Sequence, residues 1–311
     1  MAPRPGPGLS ALVFVLAGTL AAATPLLLAA SGELVVERSG VLNLGLEGLM
    51  ALAAALAFIV VHQGGGHGLA FLAGTGAGAG AALVFALAVL AFRANQVAAG
   101  LAVGILALGL ASLLGAPFES LTVTGLPKLA LPGLAGLPLL GGLFAKDAVA
   151  WLALPAALAI HLALTRTKLG LVIRAVGEDP RAAQALGYPV LAIRAAAVAF
   201  GGLMAGLAGA YASTVYTPLW ADGMIAGRGW IALALVVFGT WRAGRVALGA
   251  LLFGALSLAG LAAQAMGSHL PSQLLASLPF FATILVLGLI SRDRRRMRLN
   301  SVASLGEPFE P

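Results

Sequence analysis

The stretch Leu169–Val190, LGLVIRAVGEDPRAAQALGYPV, is a polar interruption between two apolar segments that are each long enough to cross a bilayer. It places four charged residues within eight positions. Asp179 is a favourable helix N-cap, Pro180 suits the first helical position, and Gly187 is placed to end a helix. The stretch therefore predicts two short helices with a sharp boundary, which hold a fixed shape in the water phase.

The composition of the whole chain is that of a membrane protein. Of its 311 residues, 60% are hydrophobic and 9% are charged, with a mean hydropathy of +1.02. A soluble domain carries about 25% charged residues. Ala, Leu and Gly dominate and alternating strands are not visible, which predicts packed helices rather than a barrel. The chain has no cysteine, which excludes disulfides and thiolate chemistry.

Nine apolar segments predict an all-α, polytopic transmembrane helix bundle that forms a single domain over residues 1–311. A spanning helix needs roughly 20 apolar residues. The seventh segment is short, so we expect a half-helix or a tilted helix there. The first is not expected to be a signal peptide, because only Arg4 precedes it and no clean cleavage site follows. The segments are 9–30, 41–61, 69–92, 97–115, 148–165, 190–213, 227–240, 246–266 and 273–290.

The distribution of Lys and Arg predicts the orientation in the membrane. With the loop 166–189 in the cytoplasm, 14 of the 18 basic residues face inside and 4 face outside. The basic tail 291–311 is then cytoplasmic, while the N-terminus and the segment 116–147 are external. The net charge of +7 therefore indicates orientation, and no nucleic-acid partner is expected. The inside-facing residues are Arg38, Arg93, Arg166, Lys168, Arg174, Arg181, Arg194, Arg242, Arg245, Arg292, Arg294, Arg295, Arg296 and Arg298; the others are Arg4, Lys128, Lys146 and Arg228.

A second polar region, GELVVERSGVLNLGLEG, covers Gly32–Gly48 between two apolar runs. Its glycines predict a break in the backbone, and its first half is expected to be a cytoplasmic turn with Glu37 and Arg38 in solvent. Asn43 and Glu47 lie further along the apolar run. Polar groups in a membrane face a cavity or a partner. Two roles are therefore open for these residues: a place on a translocation path, or a hydrogen bond between helices.

Four more polar residues are candidates for a translocation path. Asn95 and Gln96 open the fourth segment, where capping or an interfacial position is favoured over contact with a solute. Asp222 and Arg228 flank the start of the seventh segment. Arg228 departs from the orientation bias, so a docking protein or a polar solute are open roles, although a pair with Asp222 is slightly favoured.

Small residues four positions apart predict close contacts between helices. Three such pairs are Gly76 with Gly80, Gly100 with Gly104, and Gly202 with Gly206.

Motifs of enzymes are missing from the sequence. The four histidines are scattered, and there is no zinc-protease, nucleophile-elbow or phosphate-loop motif. We therefore expect no enzyme activity, ATP site, cofactor or metal in this chain, and any ATPase that drives it would be a separate chain. Trp220 and Trp230 are as consistent with interfacial anchors as with solute contacts.

Four stretches in the same order resemble the permease subunits of bacterial ABC importers. They are GELVVERSGVLNLGLEGLMALAA, NQVAAGLAVGILALGL, RAVGEDPRAAQALGYPV and AGRGWIALALVVFGTWRAGRVALGALLFG. The branch is the one that contains ribose, branched-chain amino acid and nucleoside permeases. The form ERSGVLNLGLEG is most similar to the nucleoside type, which is also described as a simple-sugar type. The resemblance covers nearly the whole chain and implies a type II ABC importer-like permease fold.

The resemblance implies that the loop 166–189 is a coupling loop that docks on a separate ATPase subunit, which binds ATP and Mg. It also implies a second permease subunit of different sequence and an extracytoplasmic solute-binding lipoprotein. Small side chains at Ala182 and Ala183 would allow close approach to the ATPase. The residues matched to the coupling role are Arg174, Gly177, Glu178, Asp179, Pro180, Ala182, Ala183 and Gly187.

Nucleosides are the solute that this resemblance favours, with simple sugars or branched-chain amino acids as alternatives. The rival from another class is an ion-coupled secondary transporter, against which no convincing inverted repeat is visible. Its candidate proton-linked carboxylates are Glu33, Glu37, Glu47 and Asp222.

Overall fold

A computed structural model describes residues 7–130, 141–291 and 301–310. Most of these residues are helical, which confirms the predicted class. Eleven α-helices are found in the described part of the chain: α1 (Pro7–Arg38), α2 (Leu46–His62), α3 (His67–Ala86), α4 (Gln96–Gly115), α5 (Ala148–Arg166), α6 (Lys168–Glu178), α7 (Pro180–Ala185), α8 (Val190–Tyr211), α9 (Arg228–Phe238), α10 (Ala243–Ala265) and α11 (Ser272–Ser291). The basic residues 292–300 of the predicted tail lie outside the described residues.

Six of these helices are long and apolar enough to cross a membrane. They are α1, α3, α4, α5, α8 and α10, of which α3 and α8 are extended by π-helical turns at Leu87–Ala91 and Ala212–Tyr216. Three further apolar helices, Leu46–His62, Arg228–Phe238 and Ser272–Ala282, are shorter. Each predicted apolar segment therefore contains a helix, but the count of nine spans is not confirmed.

The core of the bundle is built around α1, α2 and α8. Helix α1 packs against both α8 and α10, while α2 packs against α3, α4 and α8. Alanine and glycine dominate these buried faces. Because lipid is as apolar as a leucine side chain, close packing between small residues holds such helices together.

The contact between α3 and α8 uses other glycines of α3 than the predicted pair. A Cβ atom at Gly78 would overlap the carbonyl oxygen of Gly202, whereas Gly76 and Gly80 face open space. The prediction for Gly76 and Gly80 is therefore wrong by half a helical turn. The prediction for Gly202 is confirmed, since it lies directly against α3.

The break that the glycines predict lies at Gly40 and Gly45 and not at Gly32. Helix α1 continues through Gly32 to Arg38, and the irregular turn is confined to residues 39–45. Glu33 and Glu37 lie four residues apart on one helical face and are buried, so the expected exposure of Glu37 is wrong. The Glu37 carboxylate accepts a hydrogen bond from Nε1 of Trp241 at 2.6 Å, and the guanidinium of Arg38 donates to the Trp241 carbonyl oxygen.

The connection between α4 and α5 forms an irregular cap on one end of the bundle. It contains a 3₁₀ turn at Ala116–Phe118 and two paired strands, β1 (Leu129–Ala130) and β2 (Ala145–Lys146), while residues 131–140 lie outside the described part. Asp147 then caps α5: its Oδ1 accepts from the backbone N–H of Ala150 at 2.9 Å and its Oδ2 from the Tyr211 hydroxyl at 3.0 Å. Asp147 therefore ties the start of α5 to the end of α8.

Candidate functional site

The loop between α5 and α8 has the predicted two-helix form. The Asp179 side chain accepts a hydrogen bond from the backbone N–H of Ala182 at 2.9 Å, and Pro180 occupies the first turn of α7. Gly187 follows with φ of +87°, a left-handed conformation that favours glycine. The predictions of the N-cap, the first helical residue and the terminator are all confirmed.

The coupling residues matched from the resemblance divide into an outward and an inward set. Glu178, Asp179, Ala182 and Gly187 are exposed. Gly177 and Ala183 are buried within the chain, so the expected approach of Ala183 to a partner is wrong. The inward set holds the loop in place, and the outward set forms a polar surface around the boundary between α6 and α7.

Residues 301–310 tie this loop to the bundle, a role that the sequence did not indicate. The hydroxyl of Ser304 donates to the carbonyl oxygen of Gly177 at 2.7 Å, and the backbone N–H of Gly306 donates to the carbonyl oxygen of Gly40. Phe309 is buried against Val176 and Ala183. From the sequence, these residues were predicted only as part of a basic tail.

Arg194 is the centre of these contacts. Although it is an arginine, its exposed fraction is 0%. Its Nε donates to the carbonyl oxygen of Ser39 at 3.1 Å and its Nη2 to Oγ of Ser304 at 2.9 Å, while its guanidinium lies 5.8 Å from the centre of the Phe309 ring. The orientation rule counted Arg194 only as a basic residue near a membrane surface, but its role here is structural.

Gln96 belongs to the same end of the bundle. Its Oε1 accepts from the backbone N–H of Leu42 at 2.8 Å, and its Nε2 donates to the carbonyl oxygen of Glu307 at 3.1 Å. Asn95 caps α4 through the backbone N–H of Ala98, as the capping prediction required. Both residues therefore lie near the α6–α7 loop. Because Arg38, Arg174 and Arg242 line one cavity here, we call this the basic end.

Besides the α6–α7 loop, the candidate site contains a helix, α9, that starts inside the bundle. Helix α9 is preceded by the non-helical segment 217–227, and its first N–H groups meet the Glu47 carboxylate. The backbone N–H of Gly227 donates to Oε1 of Glu47 at 2.8 Å and that of Trp230 to Oε2 at 3.3 Å. A carboxylate at this position satisfies free N–H groups and complements the helix dipole.

The depth at which α9 begins in the bundle can be judged from α4, which runs away from the basic end. Gly48 packs on Gly104, which lies about 12 Å along α4 at 1.5 Å per residue. Glu47 therefore sits near the middle of the bundle. Further along α4, the Ser112 hydroxyl donates to Oδ1 of Asp222 at 2.7 Å. The 217–227 segment thus runs from the end opposite the basic end to mid-depth without helical structure.

Asp222 lies in the middle of this segment and Arg228 directly after it, and the two do not form the favoured pair. The backbone N–H of Asp222 is bound by the Glu119 carboxylate, whereas the Arg228 guanidinium lies 5.4 Å from the centre of the Tyr216 ring. Asn43, by contrast, is buried at the start of α2, where its Oδ1 accepts from the backbone N–H of Gly45.

An aromatic group lies at the end opposite the basic end. Phe58 lies 6.1 Å from both His62 and Trp220, and His62 lies 5.3 Å from Phe118, between ring centres. Trp220 is only 3% exposed, so it is not an interfacial anchor, whereas Trp230 is 46% exposed. The sequence could not reveal this group, because its members come from three separate segments.

Six membrane-length helices, a rigid polar loop at one end and a helix that begins at mid-depth define a multi-pass membrane protein of the transport class. The chain belongs to the family described as branched-chain amino acid transport system / permease component, whose model matches residues 15–288. It is a transport component, and its family works with an ATPase and a solute-binding protein.

Three relatives share most of their length with this chain. TsgC13 of Haloferax volcanii, whose name gives a provisional assignment as a glucose ABC transporter permease, is 40% identical over 88% of this chain and 90% of its own. The guanosine ABC transporter permease NupQ of Bacillus subtilis is 37% identical over 90% of this chain and 93% of its own length. The nucleoside ABC transporter permease NupC of Lactococcus lactis subsp. cremoris is 32% identical over 89% of this chain and 92% of its own length.

Proposed function

We propose that this chain is the permease subunit of an ATP-driven importer that moves nucleosides into the cell. The observation that carries this proposal is the α6–α7 loop, a capped pair of short helices that buried contacts hold against the basic end. A connecting loop in water needs no such rigid construction. A surface that must transmit a partner's movement does, because the partner has to bias one arrangement of the helices over another.

The proposed assembly contains three further proteins. An ATPase subunit, which binds ATP and Mg, docks on the exposed residues of the loop in the cytoplasm. A second permease of different sequence completes the path, and an extracytoplasmic lipoprotein delivers the solute. This arrangement places the basic end and the C-terminus in the cytoplasm, as the excess of Lys and Arg at that end favours.

Nucleosides are preferred because NupQ and NupC are named for guanosine and nucleoside transport. Simple sugars are the second candidate, since TsgC13, at 40% identity, is named for glucose. Branched-chain amino acids are supported only by the family description. Uptake of radiolabelled guanosine, glucose and leucine by cells with and without this gene distinguishes the three.

An ion-coupled secondary transporter is the rival mechanism, and the buried carboxylates of Glu33 and Glu37 are its support. Inactivating the ATP site of the partner ATPase separates the two mechanisms. We expect uptake to stop in that variant and to survive a brief dissipation of the proton gradient in cells with ATP. Uptake that persists without ATP hydrolysis would contradict the importer assignment.

The docking role of the loop is tested with the double variant Glu178→Ala, Asp179→Ala. We expect the ATPase to leave the membrane fraction while the permease remains there in normal amount. Asp179→Asn is the matched control, because asparagine keeps the N-cap. Gln184→Ala is a second control on the exposed face of α7. Normal ATPase retention in the double variant would remove the loop from the coupling mechanism.

A further inference from the structure

The 217–227 segment presents non-helical backbone within the depth of the bundle. Asp222, Gly223 and Ala226 are exposed there in this chain. Backbone without regular hydrogen bonds does not face lipid, because each unsatisfied group costs several kcal/mol; it is tolerated where protein covers it or where it lines a watery cavity. The segment therefore borders water or a partner protein and not the acyl chains.

A cavity of about 250 Å³ lies beside this segment, between α2 and the far half of α4. Its polar lining comes from Glu47, Ser112, Trp220 and Asp222, and its apolar lining includes Leu108 and Ile225. Ligand pockets range from roughly 300 to 1,000 Å³. A volume just below this range suits a single ring rather than a large solute.

We propose that this cavity is where the solute contacts this chain, and that it binds the vicinal diol of a neutral sugar ring. The assignment rests on the proposed function and deepens it. Oδ1 of Asp222 accepts from Ser112, which leaves Oδ2 without a hydrogen-bond partner among the described residues. A carboxylate with a free oxygen accepts strong hydrogen bonds from hydroxyl groups.

A second polar group in the cavity wall also lacks a partner. Nε1 of Trp220 is buried without a hydrogen-bond acceptor in the part of the chain that the structure describes, although the residue is only 3% exposed. Buried indole N–H groups are normally satisfied. Gly115 packs against this edge of the indole, so Trp220 shapes the cavity wall and the diol is bound through the Asp222 carboxylate.

The charges around the cavity favour neutral solutes. Glu47 is engaged by the N-terminus of α9, but Asp222 lies beside the carboxylate of Glu119, which binds its backbone N–H. A phosphorylated sugar or nucleotide would bring negative charge next to these carboxylates, and like charges repel. The cavity therefore accepts a nucleoside or a free sugar and rejects their phosphates.

The test measures uptake by cells that express the complete importer, with guanosine and 2′,3′-dideoxyguanosine as matched solutes. We expect Asp222→Asn to lower guanosine uptake about tenfold, because a charge-assisted hydrogen bond to the diol is lost. Dideoxyguanosine uptake should change much less. Gln63→Ala, an exposed polar residue at the same end, is the control. Since the binding protein is unchanged, an altered ratio between the two solutes must arise in the permease.

Glucose, measured in parallel, distinguishes a hexose from a ribose as the source of the diol. Absence of uptake of all three solutes by the unmodified importer contradicts the proposed function. Normal guanosine uptake by Asp222→Asn, or an equal loss of both nucleosides, overturns the cavity assignment and leaves the proposed function intact.

A labelling experiment tests the same cavity without relying on transport rates. The chain has no cysteine, so Ala226→Cys creates a unique thiol on the 217–227 segment. We expect rapid reaction with a membrane-impermeant maleimide and about tenfold slower reaction with saturating guanosine or glucose, as burial by a ligand predicts. Leu158→Cys, on the exposed apolar face of α5, should not react. Labelling of Ala226→Cys that no solute slows would overturn the assignment.

Discussion

The carboxylate of Glu47 accepts a hydrogen bond from the backbone N–H of Gly227 at 2.8 Å, although 180 positions separate the two residues. This contact allows α9 to begin near mid-depth with its first N–H groups satisfied. Gly229, one residue into α9, has no room for a side chain because it packs directly on Glu47. Helix α9 and the start of α2 therefore form one packed unit in the middle of the bundle.

Replacing Glu47 with Ala should destabilise the protein by about 1–2 kcal/mol, because two partly buried N–H groups at the start of α9 lose their acceptor. Glu47→Gln should lose less, since the amide oxygen still accepts one hydrogen bond. Thermal unfolding of the purified protein in detergent measures both changes. Glu310→Ala, which removes an exposed carboxylate, is the control. Equal midpoints for Glu47→Ala and the control would rule out the capping role.

Gly78→Ala and Gly76→Ala make the same change on opposite faces of α3. At Gly78 the new methyl group would overlap the Gly202 carbonyl oxygen, so we expect a loss of about 1–3 kcal/mol from forced separation of α3 and α8. At Gly76 the methyl group meets open space and should be neutral or slightly stabilising, because alanine favours helix. Thermal unfolding of the two variants tests this, with a lower midpoint expected for Gly78→Ala. A lower midpoint for Gly76→Ala would show that α3 packs through its other face.

Arg194→Lys should loosen residues 301–310. A lysine ammonium lacks the planar fork with which Arg194 reaches both Ser39 and Ser304, so the variant leaves buried acceptors unpaired at a cost of about 1–3 kcal/mol. Hydrogen–deuterium exchange measures the result as faster exchange at the Ser304 and Gly306 amides. The same substitution at Arg181, which is exposed, should change nothing. Unchanged exchange in Arg194→Lys would mean that other contacts hold the tail.

Trp241→Phe removes the N–H that donates to the buried Glu37 carboxylate. We expect a loss of about 1–3 kcal/mol, because a buried acceptor is left without its donor. Adding Glu37→Gln should recover part of this loss, since a neutral amide is less costly to bury than a carboxylate. The four proteins form a double-mutant cycle in thermal unfolding, and additive losses would show that the two residues are not coupled.

How much of the structure the sequence predicts depends on how far apart in the chain the interacting residues lie. The cap at Asp179, the start at Pro180 and the stop at Gly187 depend on neighbours within a few residues, and all three are confirmed. The face of α3 that packs on α8 was wrongly predicted, because glycines occur on both faces and either could approach a neighbour. The burial of Glu37 was missed for a related reason: a charge near a helix end usually reaches water unless a distant donor such as Trp241 lies beside it.

The sequence by itself determined that this is a helical membrane protein with a shaped polar loop, because apolar length, basic residues and capping signals act through composition and short spacings. Only the tertiary structure decided that Glu47 caps α9, that Arg194 holds the C-terminal segment on the loop, and that Ser112, Trp220 and Asp222 line one cavity. These contacts join residues far apart in the chain. Their partners are selected by which buried polar groups must be satisfied once the helices have packed, and no local pattern records that choice.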